Sequence, residues 1–465
     1  MDKRIRYLLL FFGTIFVLLV VNLTYLQVFS ADKLINHQYN TRALTEELTT
    51  KRGSIITADG IEIAQSERSS SGKKYDRFYS AGEGFSHITG YYDSRLGRTA
   101  LERTYNDELL GKDSADTVSD YIDRIVGRNQ PGNDLILTID SKIQRTAYQS
   151  LIGRRGSVVA INPKTGAVLA LASYPGFNPN TLRKDWKKLI KDEASPLLNR
   201  AINGTYPPGS AFKTVTLVAA LANGKSKPDK MYPAPATITI HGGKLTNYKE
   251  KSFGQISLKE AFEKSINTVY GKVGVEVGGN DLVDQAKKFG FNKDIGFDLD
   301  VKKSTLKQAS EMDDLEVAWT AVGQASTLAT PFQMAMIAAG VANDGELMKP
   351  FMVEKVRDYQ GKTVQKHRPQ VMASVIDTLN AKTIKNIMKD VVENGTGQAA
   401  KIENISVAGK TGTAEIKGKS PHAWFIAFAP VEDPQIAVSV IVENGGTGGA
   451  KAAPIARKLI ETALK

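Results

Sequence analysis

The sequence predicts an α+β protein. Three observations carry this. Strand-like runs gather around residues 134–174 and again around 405–444, the chain between them has mostly helical spacing, and short paired strand runs precede both. Strands at both ends of one region with helices between them imply a single sheet closed by distant pieces of chain. The length of 465 residues corresponds to about two to four folded units, and a hydrophobic content of 42% with 24% charge is enough to bury a core.

The elements follow in chain order. Lys3, Arg4 and Arg6 precede an uncharged stretch, Tyr7–Phe29, and the next charge is Asp32. As a helix that stretch is roughly 34 Å long, enough to span a bilayer. Cations before it and none just after place the amino end in the cytoplasm. A cleaved signal peptide would have a shorter apolar core and small residues before the cut. Bulky Leu26, Val28 and Phe29 stand there instead, so an uncleaved anchor is expected, with the rest of the chain outside the cytoplasmic membrane.

Residues 31–132 are polar and rich in Ser, Thr, Arg and Gly. Lys51–Ala64 reads as two short strands about an Asp59-Gly60 turn. Ser66–Arg77 reads as loose chain, and Leu101, Tyr105 and Leu109 have helical spacing. The breaker cluster at 129–133 marks a boundary. The expected division is therefore an anchor at 1–30, a small β-rich module at 31–132 and the main domain at 133–465.

Within the main domain, Asp134–Asp140 reads as a strand, and Asp140 can cap a helix with Ile143, Ala147 and Leu151 on one face. Residues 156–162 and 167–174 flank a Lys164-Thr165-Gly166 turn as a hairpin. Helical segments are expected over much of 210–345. Residues 405–416, 423–430 and 436–444 read as adjacent strands. A last helix carries Ile455, Leu459 and Ile460 on one side.

Composition excludes several chemistries. There is no cysteine, hence no disulfide, thiolate metal site or cysteine nucleophile. The five histidines, His37, His87, His241, His367 and His422, lie far apart, so no histidine metal site is expected, and no cofactor. The net charge of +12 favours anionic surroundings such as phospholipid or wall polymer. It is spread along the chain, without the dense cationic blocks and stacking aromatics of a nucleic-acid groove, so no nucleic-acid partner is expected.

Three short motifs carry chemistry. In YPPGSAFKTV, Pro207, Pro208 and Gly209 end an extended segment and an apolar helix starts at Ser210. Ser210 and Lys213 share one helix face, so the amine can reach the hydroxyl. Serine needs a neighbouring base, and lysine serves if burial or a nearby cation keeps it neutral. Ser265 and Asn267 add a hydroxyl able to relay a proton and an amide able to hold a peptide group. In Lys410-Thr411-Gly412-Thr413, between strand-like residues, Lys410 offers a cation for a carboxylate and Gly412 allows close approach at a strand edge that can pair with a peptide. Further S-x-x-K matches at Ser70, Ser71 and Ser304, and a K-T-G match at Lys164, lack this order and setting.

This set resembles the penicillin-binding proteins. It is most similar to their class B, single-pass peptidoglycan D,D-transpeptidases, and to the short members called penicillin-binding protein A. Asn40–Arg42, Arg52–Ile55 and GRTALERTYNDELLG look like that class's amino-terminal module. LTIDSKIQ, INPKTGAVLALASYPGFNPN, NRAINGTYPPGSAFK, WTAVGQA and VAGKTGTAE look like its transpeptidase domain. Two departures are RTALE, where a Gly-Leu-Glu form is more usual, and Ala427, where glycine is common. The resemblance implies a penicillin-binding, serine β-lactamase-like domain: an antiparallel sheet flanked by helices plus a mostly helical subdomain.

It also implies roles. Ser210 attacks the penultimate D-Ala carbonyl of a stem pentapeptide, with Lys213 as base. Ser265 relays a proton to the departing D-Ala, and Asn267 holds the donor. Lys410 helps the proton relay and the electrostatics of the terminal carboxylate, with the Thr411 and Thr413 hydroxyls close by, and the N–H groups of Ser210 and Thr413 form an oxyanion hole. β-Lactams would remain on Ser210. A SEDS-type glycosyltransferase and the cytoplasmic membrane are the implied partners. A D,D-carboxypeptidase with the same residues and a non-catalytic wall-synthesis scaffold are the alternatives. Glu276 and Asn280 match a β-lactamase glutamate motif only in spacing.

Overall fold

The computed structural model describes residues 3–25, 47–70, 72, 74–112 and 130–465. The end of the expected anchor (residues 26–29), Asn40–Arg42, Ser71 and Asn129 lie outside the described residues. The helix Lys3–Thr24 is exposed along its length and is long and apolar enough to cross a membrane.

A six-stranded sheet comes first in the chain but is not built from the first segment alone. Its order is Thr363–Lys366, Val353–Arg357, Asp134–Leu137, Ile55–Ile56, Glu62–Arg68, Tyr75–Phe78. The expected turn at Asp59-Gly60 joins Ile55–Ile56 to Glu62–Arg68, with Gly60 at φ +83°. Ser66–Arg77 is not loose chain. It contains most of a second hairpin, in which Gln65 faces Phe78 and Arg68 faces Tyr75. Tyr75–Phe78 is the sheet edge, and beyond the buried Ile63 and Ala64 the paired side chains are mostly polar and half-buried or exposed, so no apolar alternation marks them. Asp134–Leu137 runs parallel to Ile55–Ile56 and antiparallel to Val353–Arg357, which ties chain from both sides of residue 132 into one sheet.

The expected helix around 101–109 is two short turns, Ala100–Thr104 and Asn106–Leu109, parted at Tyr105. Leu101 and Leu109 are buried as their spacing predicts. Ala100 has φ +46°, a conformation that explains why glycine suits this position. Glu102 is fully buried between Arg52 and Arg77, at 2.8 and 2.6 Å.

The second sheet has five antiparallel strands in the order Ala408–Ile416, Lys419–Ala429, Ile436–Val442, Gly156–Ile161, Val168–Tyr174. Early and late chain meet where Val440 pairs with Val158. Both faces are buried, and alternate residues feed two cores. Val159, Ile161, Trp424 and Ile426 point into one. Val158, Ala160, Phe425 and Val438 point into the other. The helices Ser141–Leu151 and Ala453–Ala463 cover the second face, and Pro331–Ala342 covers the first. Asp140 caps its helix as expected, accepting from the N–H groups of Lys142 and Ile143.

The region 210–345 is less helical than its spacing suggests. Four strands, Met231–Ala234, Thr237–Ile240, Gly243–Thr246 and Gly254–Ser257, form two antiparallel pairs within it. Pro233 and Pro235 forbid a helix there, and the run Thr237–Ile240 is β-branched throughout.

Candidate active site

Ser210 sits in a tight turn of 3₁₀ geometry, Gly209–Phe212, and the α-helix proper begins at Lys213 and runs to Ala222. The sequence expectation of a helix from Ser210 is thus one turn early. Side chains three apart still share a face in a 3₁₀ turn. Every residue from Lys213 to Leu221 is buried, so the helix is a core element and cannot shift its first turn cheaply.

The turn is wedged in place by glycines. Gly209 has φ +54°, and a Cβ there would lie 2.6 Å from the Thr413 carbonyl oxygen. Gly323 has φ +74°, and its Cβ would lie 2.0 Å from the Gly209 oxygen. The Gly209 N–H donates to the Gly323 carbonyl at 2.8 Å. A Cβ on Gly412 would lie 2.8 Å from the Pro208 oxygen. Gly412 does allow close approach, and what approaches is the protein's own turn carrying Ser210.

Ser265 and Asn267 lie at the junction of helices Leu258–Glu263 and Asn267–Val277. A capping box between Ser257 and Glu260 starts the first helix, and the chain turns at Ser265 with φ +60°. The Asn267 amide has one possible orientation. Its Nδ2 donates to the Thr246 carbonyl at 2.9 Å, so Oδ1 faces Lys213.

Lys213 is fully buried, and its Nζ meets the second motif. It lies 2.8 Å from the Ser265 carbonyl, 2.7 Å from Asn267 Oδ1 and 3.4 Å from Ser265 Oγ. Lys410 arrives from the opposite side on the edge strand Ala408–Ile416. Its Nζ donates to Ser265 Oγ at 2.9 Å and to the Thr411 carbonyl at 3.0 Å. One hydroxyl therefore bridges two buried amines. Burial holds Lys213 well below the usual ammonium range, and the neighbouring Lys410 pushes it further down. Burial alone brings Lys410 down to about 7.

Strand alternation sorts the rest of the third motif. Lys410 and Gly412 face the side of the Ser210 turn, whereas Thr411 falls on the other side and its hydroxyl shares a 2.6 Å hydrogen bond with Thr396. Thr413 is half-buried, with its peptide against Gly209. The structure thus gathers Ser210, Lys213, Ser265, Asn267, Lys410, Gly412 and Thr413 and turns the Thr411 hydroxyl away. Glu276 lies on the helix Asn267–Val277, where it takes hydrogen bonds from Lys230 at 2.7 Å and Tyr232 at 2.9 Å.

Gly323 falls within the WTAVGQA run, but its part in wedging the Ser210 turn is not legible there. The glycine-rich run 445–449 escapes motif reading altogether: a Cβ on Gly448 would lie 2.0 Å from the Trp424 oxygen and 2.5 Å from the Gly412 oxygen. The density of glycine in that run was its visible signal.

Comparison with known proteins agrees with this geometry. Residues 156–461 match the penicillin binding protein transpeptidase domain, and residues 52–135 match the penicillin binding protein A dimerisation domain. The chain is 36% identical to the peptidoglycan D,D-transpeptidase PbpA of Mycolicibacterium smegmatis, covering 100% of this chain and 99% of that protein. Penicillin-binding protein A from M. tuberculosis, solved as a ceftriaxone acyl-enzyme complex, superposes with a TM-score of 0.86 at 34% identity, over 90% of this chain and all of that one. The D,D-transpeptidase domain of a peptidoglycan glycosyltransferase from Eggerthella lenta gives 0.83 at 35% identity, covering 90% of this chain and 98% of that one. Matched through its amino-terminal module as well as the domain where the three motifs meet, the chain belongs to the penicillin-binding proteins.

Proposed function

We propose that this chain is a peptidoglycan D,D-transpeptidase working through an acyl-enzyme on Ser210, and that β-lactams inhibit it by acylating the same oxygen. One observation carries the reading: Lys213 and Lys410, two amines that burial makes easier to deprotonate, meet on the Ser265 hydroxyl beside the Ser210 turn. Its relatives are named for the same activity.

A neutral Lys213 has two N–H donors and one lone pair. The Ser265 carbonyl and Asn267 Oδ1 can only accept, so they take the donors and leave the lone pair for a hydroxyl proton. As Ser210 Oγ bonds to the penultimate D-Ala carbonyl carbon, its proton passes to Lys213. The carbonyl oxygen becomes an oxyanion facing the N–H groups of Ser210 and Thr413, each donor worth about 10²–10³ in rate. Collapse breaks the C–N bond, and the departing D-Ala nitrogen takes a proton through Ser265 Oγ. Asn267 holds the donor peptide. Lys410, in its protonated form, faces the terminal carboxylate, with Thr411 acting only through its backbone and Thr413 through its peptide. An amine from a second stem then takes the acyl group and restores Ser210.

In this reading residues 1–30 are a cytoplasmic tip and single membrane anchor, 31–132 a non-catalytic module and 133–465 an extracytoplasmic catalytic domain. The anchor and module contact a SEDS-type glycosyltransferase.

Incubation with a fluorescent penicillin tests the nucleophile. The native chain takes a stable label and Ser210→Ala takes none while keeping its melting temperature. A Ser210→Ala chain that still labels refutes the role of Ser210. Supplying lipid-linked stem peptides then separates cross-linked product from the trimmed peptide that a D,D-carboxypeptidase would release.

A further inference from the structure

The turn that carries Ser210 is gripped from behind by a polar cluster that joins Tyr206, the first residue of the YPPGSAFKTV run, to residues outside all three motifs. Tyr206 is four residues before the nucleophile. Its backbone pairs with Ala329, N–H to carbonyl at 3.0 Å in one direction and 2.8 Å in the other. Its ring meets His422 and Trp424 edge-on, at centroid distances of 5.4 and 6.2 Å. The Trp424 indole N–H donates to the Pro207 carbonyl at 2.9 Å, on the same stretch of chain. The Tyr206 hydroxyl donates to Glu443 Oε1 at 2.8 Å.

Glu443 follows the strand Ile436–Val442, and its backbone N–H extends that ladder to the Arg155 carbonyl at 2.8 Å. The same Oε1 accepts from Arg200 Nε at 2.7 Å, and Arg155 stands 3.5 Å from the other carboxylate oxygen. Arg200 is 3% exposed and is itself fixed by the Ala194 and Ser195 carbonyls. The carboxylate therefore has no freedom to drift. It is a fixed point on the central sheet to which the Ser210 turn is tied by a single phenolic hydrogen bond.

We propose that Glu443, clamped by Arg200, positions Ser210 by holding the Tyr206 hydroxyl. The inference rests on Ser210 being the nucleophile. Tyr206 and Glu443 are positioning residues here: neither touches a reacting atom. The physical reason for such a device is the short 3₁₀ turn. It places Ser210 with few intrahelical bonds of its own, and a displacement of about 1 Å costs about 10²-fold in rate. Burial and the Glu443 charge push the Tyr206 phenol above its ordinary range, so it remains a donor at every working pH.

Stopped-flow acylation of the full chain by a fluorescent penicillin separates the dissociation constant of the first complex from the acylation rate constant. Tyr206→Phe removes only the hydroxyl and leaves the ring packed. It is expected to slow acylation by about tenfold or more, the scale of a hydrogen bond to a charged group. The dissociation constant should stay at the native value, and the melting temperature should fall by no more than the few degrees that one lost hydrogen bond costs. Glu443→Ala is expected to be at least as slow, Glu443→Gln to recover part of the rate because its oxygen still accepts from Tyr206, and Tyr206→Phe to add nothing on the Glu443→Ala background.

Acylation of Tyr206→Phe within twofold of native overturns the proposal. So does a loss confined to the dissociation constant, a variant partly unfolded at the assay temperature, or additive effects in the double variant. Glu443→Ala strands a buried guanidinium, and if it fails to fold, Tyr206→Phe alone decides. A native chain that takes no label refutes the transpeptidase reading instead.

Discussion

Lys410 is fully buried, and loss of hydration brings its ammonium from the ordinary 10.5 down to about 7. Between those values the folded lysine is neutral while the unfolded one binds a proton. Stability therefore rises with pH across this window, by ~1.4 kcal/mol per pH unit. The contribution is fully present above 10.5 and is lost as pH falls to 7, a total of about 5 kcal/mol. Lys410→Met deletes this dependence and keeps most of the volume. From pH 7, where the folded lysine is still half protonated, to pH 9 the native chain should gain roughly 2 kcal/mol relative to the variant. Burial lowers Lys213 in both proteins, and the part of its displacement caused by Lys410 is present only in the native chain, where it adds to the gap in the same direction. Urea unfolding of both chains in detergent at pH 7, 8 and 9 measures the gap. A gap constant within about 0.5 kcal/mol over that range would refute a discharged Lys410, and with it the two-amine site.

Two further outcomes follow from the packing. Gly323→Ala places a methyl 2.0 Å from the Gly209 oxygen at a positive φ. It should cost about 2–4 kcal/mol and slow acylation by about 10²-fold, read by thermal melting and penicillin labelling; native acylation at a native melting temperature would contradict the wedge. Glu102→Gln leaves Arg52 and Arg77 buried without an anion. Burial raises the Glu102 carboxyl but the two arginines outweigh it and hold it below the usual range, so the charge is present at neutral pH. The substitution should cost about 3–5 kcal/mol in thermal unfolding, and a loss below about 1 kcal/mol would show the cluster to be dispensable.

Local signals in the chain were legible where one residue's chemistry acts on its near neighbours. The Asp140 cap, the Gly60 and Gly166 turns and the apolar face of the last helix were all readable, and all are present. The late strands were readable because β-branched and aromatic runs, buried on both faces, have no other stable form. The edge hairpin at 62–78 was not, since its mostly polar side chains, half-buried or exposed beyond Ile63 and Ala64, carry no apolar alternation. The strands at 231–257 were hidden inside a region whose mean spacing is helical, although Pro233 and Pro235 were there to be weighed.

By itself the sequence determined the identity and order of the candidate groups: a serine, two lysines, a second serine and an amide in three motifs. Tertiary structure alone decided their electrical state and aim. A lysine's charge depends on the water excluded around it, and that follows from the packing of elements up to two hundred residues apart. Strand register sent the Thr411 hydroxyl to Thr396 and Lys410 to Ser265. Arg200 and Glu443 became partners only because the sheet returns the chain's end to its beginning, and no spacing along the sequence encodes that distance.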